Sequence, residues 1–218
     1  MIISCISASN IKHAKASSTS LKVCEMIREI INKVNGSFCI DIIPLVDYEL
    51  TPCIGCGMCY NKNWCTRRDD FNYLYSKLIK SDALFIVSAH YAPIPSKLSM
   101  LLEKMEQLAF LPRFHNENIH SPLYHKPVGI IGHGGGPEEI INGYRGVVLD
   151  TIKNALSWPI EMKIIGANDN WPNGVVFPIK EVVKDKNEIF PIQKYDWQDI
   201  QRRIRPLVKN VLKSLQLE

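Results

Sequence analysis

Ala83-Leu84-Phe85-Ile86-Val87-Ser88, in the middle of the chain, is an almost unbroken run of apolar residues. A strand that is apolar on both sides has to be covered on both faces. Such strands are typical of a parallel sheet that lies between two layers of helices. We therefore expect this run to be a central strand of an α/β domain.

Strand and helix patterns alternate along the rest of the chain. In the helix patterns, apolar residues recur every three or four positions. Ser96 is expected to cap one helix, and Pro206 to kink the last helix or mark its start. Five strands with intervening helices predict a doubly wound α/β fold with a five-stranded parallel sheet. The other expected strands are 1–6, 38–45, 127–131 and 160–165, and the expected helices are 21–34, 69 onward, 96–108, 137–155 and 196 onward.

The composition is that of a globular domain. A chain of 218 residues with 46% apolar side chains can form a full core, so we expect a single domain over residues 1–218. The net charge of +4 does not favour nucleic acid as a partner. No apolar run reaches the length of a membrane span, and seven cysteines without an export signal favour the cytoplasm.

The segment after the first strand is rich in hydroxyl groups. It leads into the first helix, whose N-terminus presents free N–H groups and a partial positive charge. Lys12 and Lys15 lie nearby, and no acid appears before Glu25. A terminal monophosphate suits such a site, although one serine there could simply cap the helix. The candidate phosphate-binding residues are Ser7, Ser9, Ser17, Ser18, Thr19 and Ser20.

Two further loops are expected to leave strand ends. The loop after the third strand is stiffened by Pro93 and Pro95, and its tyrosine and isoleucine offer a flat apolar surface for a ring. The loop after the fourth strand is rich in glycine, which lets a ligand approach the backbone or merely forms a flexible turn. Its histidine is expected to touch the ring or to face solvent. The candidates are Ala89, His90, Tyr91, Ala92 and Ile94 in the first loop and Gly132, His133, Gly134 and Gly135 in the second.

These three loops are expected to converge, because ligands of doubly wound sheets bind at the carboxyl ends of the strands. A phosphate site, a stiff aromatic loop and a glycine loop together suit FMN, a monophosphate with a large flat ring. A dinucleotide is disfavoured, since the first loop lacks the G-x-G-x-x-G sequence. We expect the cofactor to carry the reaction, with no side chain acting as general acid or base.

Four cysteines lie close together in a loop over residues 52–66. Their spacing is C-x2-C-x2-C-x5-C, and Gly55 and Gly57 allow the loop to fold tightly. This spacing is closer to the needs of an iron–sulfur cluster than to those of zinc, which more often uses two separated pairs. Redox-active thiols, disulfides and zinc remain alternatives. The candidate metal ligands are Cys53, Cys56, Cys59 and Cys65, whereas Cys5, Cys24 and Cys39 are expected in the core.

Pro52-Cys53-Ile54-Gly55-Cys56-Gly57-Met58-Cys59, followed by Cys65 and Asp69-Asp70, resembles a segment of the flavodoxin-fold NADPH-dependent FMN reductases, especially the iron–sulfur flavoproteins among them. Ser88-Ala89-His90-Tyr91 is similar to the Pro-x-Tyr loop of that family, with alanine in place of proline. The first loop departs from the family's Gly-Ser-Pro-Arg type and reads Ser7-Ala8-Ser9-Asn10. The resemblance covers roughly residues 1–165. It implies a flavodoxin-like fold, FMN, NAD(P)H as cosubstrate and a [4Fe-4S] cluster.

The resemblance implies an FMN-dependent oxidoreductase that transfers electrons between NAD(P)H, or a reduced carrier, and an acceptor. The acceptor, a small molecule or a protein, is not identified by the sequence. A non-enzymatic electron carrier and a cysteine-based zinc or redox-sensing module are the alternatives. Flavin sites of this family often lie at subunit interfaces, which implies a homodimer or homotetramer. Two less well matched segments, 109–125 and an irregular one at 166–193, carry aromatic residues suited to a lid or a subunit contact.

Overall fold

The computed structural model describes residues 1–10, 18–34, 36–184, 186 and 191–215. Strands and helices alternate over most of this range, as the apolar patterns predict. The strands are β1 (Ile2–Ala8), β2 (Cys39–Pro44), β3 (Ala83–Ala89), β4 (Pro127–His133), β5 (Lys163–Ile165), β6 (Val175–Phe177), β7 (Glu181–Val183) and β8 (Ile192–Lys194). The helices are α1 (Thr19–Val34), α2 (Cys59–Lys62), α3 (Phe71–Lys80), α4 (Ser96–His115), α5 (Ile141–Tyr144), α6 (Thr151–Ser157) and α7 (Trp197–Ser214).

The first five strands form a sheet in the order β2-β1-β3-β4-β5, and each pairs with its neighbours in parallel. This is the strand order of the flavodoxin-like doubly wound fold, so the predicted fold class is confirmed. The order reverses between β1 and β3, and the crevice at their carboxyl ends is where such sheets bind ligands. β3 is buried along its whole length, as its apolar run predicts.

The fifth position of the sheet is filled by two short strands rather than one. β5 pairs with Pro127–Gly129 at the start of β4, and β6 pairs with Ile131–His133 at its end. Residues 166–174 leave the sheet between these two strands. At Gly174, whose φ is +133°, the chain turns back toward the sheet. A Cβ atom at this position would lie 2.2 Å from the carbonyl oxygen of Ile130. Glycine alone fits this return, because it has no Cβ atom.

Among the described residues, the sheet therefore has six strands, one more than the sequence predicts. The segment 166–193, expected to be irregular, contains β6, β7 and the start of β8. β7 and β8 pair with each other in antiparallel fashion and form a separate hairpin. Strands of three residues carry too little periodicity to be recognised in a sequence.

The helices cover both faces of the sheet. One core packs α1 and α7 against one face, and a second core packs α3, α4 and α6 against the other. A π-helical segment, Arg145–Asp150, joins α5 to α6. In the described part of the chain, no helix combines the length and the apolar character needed to span a membrane.

Three helix and cysteine predictions need correction. Ser96 is the first residue of α4 and does not cap it, since the cap position is Pro95. Pro206 lies inside α7 and does not mark its start, because the side chain of Asp196 caps the helix by accepting hydrogen bonds from backbone N–H groups. Cys39 is exposed rather than buried, because β2 is the edge strand of the sheet.

Candidate functional site

A cleft of about 600 Å³ lies at the carboxyl ends of β1, β3 and β4. Its walls are the start of α1, the loops after β3 and β4, and a segment from the β7–β8 hairpin to α7. The structure thus brings the three predicted loops together. Nine candidate residues line the cleft, namely Ser9, Ser18, Thr19, Ala89, His90, Tyr91, His133, Gly134 and Gly135.

The other candidate residues do not line this cleft. Ser7 is buried within β1, and Gly132 lies inside β4. Ser20 is buried and bonds to the protein interior. Ala92 and Ile94 line a neighbouring groove, and Ile94 also packs against the core. A sixth candidate, Ser17, lies outside the described residues.

The start of α1 forms a polar wall of the cleft. Ser18 is 8% exposed, and its Oγ atom has no hydrogen-bond partner in the described structure. A buried hydroxyl without a partner is costly, so this atom suits a ligand that supplies one. The first turn of α1 holds no acidic residue, and the first N–H groups of a helix have no intrahelical acceptor. The arrangement fits an anion such as a phosphate group.

The loops after β3 and β4 form two further walls and are fixed to each other. The backbone N–H of His90 donates to the carbonyl oxygen of His133 at 2.7 Å. The His90 ring also lies 5.2 Å from the ring of Tyr144. Gly134 packs so closely on that tyrosine that a Cβ atom would lie 2.4 Å from it. Tyr91 lines the cleft beside these residues. Walls fixed in advance reduce the entropy that binding would cost.

His133 lies at the floor of the cleft and is only 6% exposed. Its ring stacks on Phe177, with ring centroids 5.2 Å apart. Its Nε2 atom lies 2.7 Å from the Oγ atom of Ser20, which also lies 3.3 Å from the carbonyl oxygen of Ala8. The sequence offered exposure to solvent as one alternative for His133, and this buried pairing shows that alternative to be wrong.

Burial lowers the pKa of His133 to about 4, whereas histidine in an unfolded chain has a pKa of about 6.5. Between these values the unfolded chain binds a proton that the folded protein does not bind. The free energy of unfolding therefore falls as the pH falls through this range. We expect this residue to account for a drop of about 2 kcal/mol between roughly pH 7 and pH 5, as measured by urea unfolding.

The change His133→Gln should remove most of this drop, because an amide does not titrate. The matched change His115→Gln, at an exposed histidine, should leave the drop as it is in the wild type. Equal slopes of stability against pH in the wild type and His133→Gln would contradict the burial of a neutral imidazole at this position.

The fourth wall of the cleft is the part that sequence reasoning missed. It consists of Pro191, Ile192, Gln193 and Tyr195. The nearby helix cap at Asp196 marks a helix start, but it gives no sign of contact with residues near 18 or 135. Such a contact depends on the path of the chain in space, which local patterns do not encode.

The four cysteines of the 52–66 loop all line one pocket, which is separate from the cleft. Gly55 and Gly57 adopt positive φ values of 64° and 66°, which let the loop turn between the cysteines. Lys104 and Arg67 line the same pocket. Burial raises the pKa of the Cys59 thiol, and the three neighbouring thiols act in the same direction. In the residues that the structure describes, no three His, Cys, Asp or Glu side chains are grouped closely enough to hold a metal ion.

Hydrogen bonds hold both ends of the cysteine loop. The backbone N–H of Cys53 donates to Glu103 at 3.3 Å. The backbone N–H of Cys65 donates to Oδ1 of Asn72 at 2.9 Å, and Nδ2 of Asn72 donates to the backbone carbonyl of Cys65 at 2.7 Å. Below the loop, Lys104 forms a buried ion pair with Asp69. The loop is therefore clamped against α3 and α4.

Comparisons with known proteins agree with this architecture. Two curated relatives are an iron-sulfur flavoprotein of Methanocaldococcus jannaschii, 29% identical over 85 residues (38% of this chain, 44% of that protein), and one of Archaeoglobus fulgidus, 27% identical over 116 residues (53% and 50%). The matched regions thus span about half the length of these relatives. A solved oxidoreductase structure from Corynebacterium diphtheriae has a similar fold, with a TM-score of 0.61 at 14% identity over 100% of this chain and 97% of that one. The family model for NADPH-dependent FMN reductase matches residues 1–170. The chain therefore belongs to the NADPH-dependent FMN reductase family.

Proposed function

We propose that this chain is a single flavodoxin-like domain that binds FMN and transfers electrons between NAD(P)H, or a reduced carrier, and an acceptor. The observation that carries the proposal is the cleft at the strand ends, where the buried hydroxyl of Ser18 has no partner among the described residues. A volume of about 600 Å³ is within the usual range for cofactor sites. Membership of the FMN reductase family supports the same cofactor.

The residues of the cleft suit the parts of FMN in a definite order. Ser18 and Thr19, at the start of α1, would hold the phosphate. Tyr91 and the loop at Gly134 would flank the flat ring. His133, neutral and bonded to Ser20, keeps the floor of the cleft uncharged. Bound FMN would supply the electron-transfer chemistry, while the chain supplies binding, orientation and electrostatics.

The steady-state rate of NADPH and NADH oxidation distinguishes an enzyme from a non-enzymatic electron carrier. We expect the FMN-loaded protein to oxidise one of these nucleotides in the presence of an artificial acceptor, and the FMN-free protein not to do so. FMN binding without turnover would instead favour the electron carrier. The acceptor in the cell, a small molecule or a redox protein, is left open by this measurement.

Changing both Ser18 and Thr19 to alanine should weaken FMN binding by at least about tenfold, because each hydroxyl would donate a hydrogen bond to the charged phosphate. Fluorescence titration with FMN measures the change. The control Ser76→Ala removes a hydroxyl that bonds only within α3 and should leave affinity as it is. An unchanged affinity in the double variant would count against a phosphate at this helix end.

We also propose that Cys53, Cys56, Cys59 and Cys65 hold a [4Fe-4S] cluster. The four cysteines line one pocket with Lys104 and Arg67, and no acidic residue lines it among those described. The curated relatives are named iron-sulfur flavoproteins. A cluster there would supply single-electron transfer beside the chemistry of FMN. Zinc and redox-active thiols are the competing uses of these cysteines.

We further propose that the protein is a homodimer or homotetramer. Phe114 and Trp158 are 72% and 57% exposed, and both rings contact Phe110. Exposed aromatic clusters of this kind often mark protein contacts. Light scattering coupled to size exclusion measures the assembly, and a monomer at micromolar concentration would contradict this part of the proposal.

A further inference from the structure

The fourth wall of the cleft comes from outside the matched family region. The family model ends at residue 170, whereas Gln193 and Tyr195 line the same cleft as the start of α1. The chain just before β7 is joined to the glycine loop, since the backbone N–H of Ile179 donates to the carbonyl of Gly136 at 3.0 Å, and β7 pairs with β8, which carries Ile192 and Gln193. The site thus includes residues beyond the part of the chain that the family model matches.

Tyr195 lies near the start of α1. Burial raises the pKa of Tyr195, and the side chain of Thr19, the first residue of that helix, lies close enough to oppose this rise. The tyrosine ring is fixed by its neighbours: it meets Phe177 edge-on at 6.0 Å and lies 5.3 Å from the ring of Trp197. A ring held in this way keeps its hydroxyl at the cleft before a ligand arrives, which reduces the cost of binding.

Gln193 sets the direction of the tyrosine hydroxyl. The hydroxyl of Tyr195 donates to the Oε1 atom of Gln193 at 2.7 Å. The amide nitrogen of Gln193 lies over Gly135, where a Cβ atom would be 2.7 Å from it. Tyr195 therefore lies between Thr19, at the helix end, and Gln193, beside the glycine loop.

We propose that Tyr195 is a ligand of the FMN phosphate and that it binds the phosphate together with Ser18 and Thr19. The inference rests on the proposed FMN site and adds a residue from outside the matched family region. The phenol O–H would turn from Gln193 to donate to a phosphate oxygen, because an anionic oxygen is the stronger acceptor. Gln193 holds the hydroxyl in place while the site is free.

The test compares FMN with riboflavin, which has the same ring and no phosphate. In Tyr195→Phe, we expect the Kd for FMN to rise by about tenfold and the Kd for riboflavin to change by less than about twofold. Fluorescence titration gives both constants. The matched control Tyr124→Phe, at a partly exposed tyrosine outside the cleft, should leave both constants unchanged.

The outcomes separate this inference from the proposed function. If the wild type binds FMN and Tyr195→Phe binds it equally well, Tyr195 is not a phosphate ligand. If the variant loses FMN and riboflavin to the same extent, Tyr195 only supports the wall, and the inference is overturned. If the wild type binds neither flavin, the FMN site itself fails.

Discussion

Replacing Lys104 with methionine should lower the free energy of unfolding by about 3–5 kcal/mol, because it leaves a buried carboxylate without its charge partner. The side chains of Lys104 and Asp69 are each only 1% exposed. The lysine ammonium also lies 3.3 Å from the Oγ1 atom of Thr51. Neither charge can recover its lost hydration from solvent, so each depends on the other.

Asp69 joins the two ends of the cysteine loop. One carboxylate oxygen accepts from the backbone N–H and the hydroxyl of Thr51, at 2.8 and 2.7 Å, and the other accepts from the N–H of Phe71 at 3.1 Å. Burial alone would raise the pKa of Asp69, but the hydrogen bonds from Lys104 and Thr51 outweigh it and hold that pKa below its usual value. Loss of Lys104 should therefore also loosen residues 52–66, which hydrogen exchange can follow.

Urea unfolding of three variants tests this expectation. Lys104→Met should show the full loss, and Lys80→Met, at an exposed lysine of α3, should change stability by less than about 0.5 kcal/mol. Combining Lys104→Met with Asp69→Asn should recover part of the loss, because the unpaired charge is then removed. A loss below about 1 kcal/mol in Lys104→Met would mean that the ion pair is not buried as the structure shows.

Changing Cys56 to serine should abolish bound iron in protein purified without oxygen, while leaving the fold intact. A serine hydroxyl is a poor replacement for a thiolate ligand of a [4Fe-4S] cluster. Cys56 is exposed in this structure, so the substitution itself should change the stability of the metal-free protein by less than about 0.5 kcal/mol. Assays of iron and acid-labile sulfide measure the effect.

Cys39→Ser is the matched control, because Cys39 is also exposed but lies on β2, outside the pocket. That variant should keep the iron content of the wild type. Wild-type protein without iron or sulfide would contradict the cluster, and zinc in a fixed ratio to protein would assign the cysteines to a zinc site.

Apolar patterns were enough to predict the sheet, because its long strands are buried on one or both faces. The run at 83–88 became β3, which is buried throughout. The split of the fifth position was not predictable, since it depends on how Gly174 passes the backbone of Ile130. That contact joins residues 44 positions apart and leaves no local pattern.

The residues of the candidate site were predictable where the local sequence alone favours a ligand-binding role for a residue type. Hydroxyls at the start of a helix and glycines after a strand are local patterns of this kind. Ser18, Thr19 and Gly134, which belong to them, line the cleft. Tyr195 was missed because its contact with the start of α1 is made across most of the chain. Lys104 was also missed, since a lysine in a helix usually faces solvent, and only the fold shows its burial beside Asp69.

Titration of the FMN-free protein with FMN, followed by flavin fluorescence and absorbance, tests the central claim most directly. We predict saturation at one FMN per chain, with a lower affinity for riboflavin, because the phosphate adds charged hydrogen bonds at the start of α1. No saturable binding, or equal affinity for the two flavins, would contradict a phosphate-anchored FMN site in this cleft.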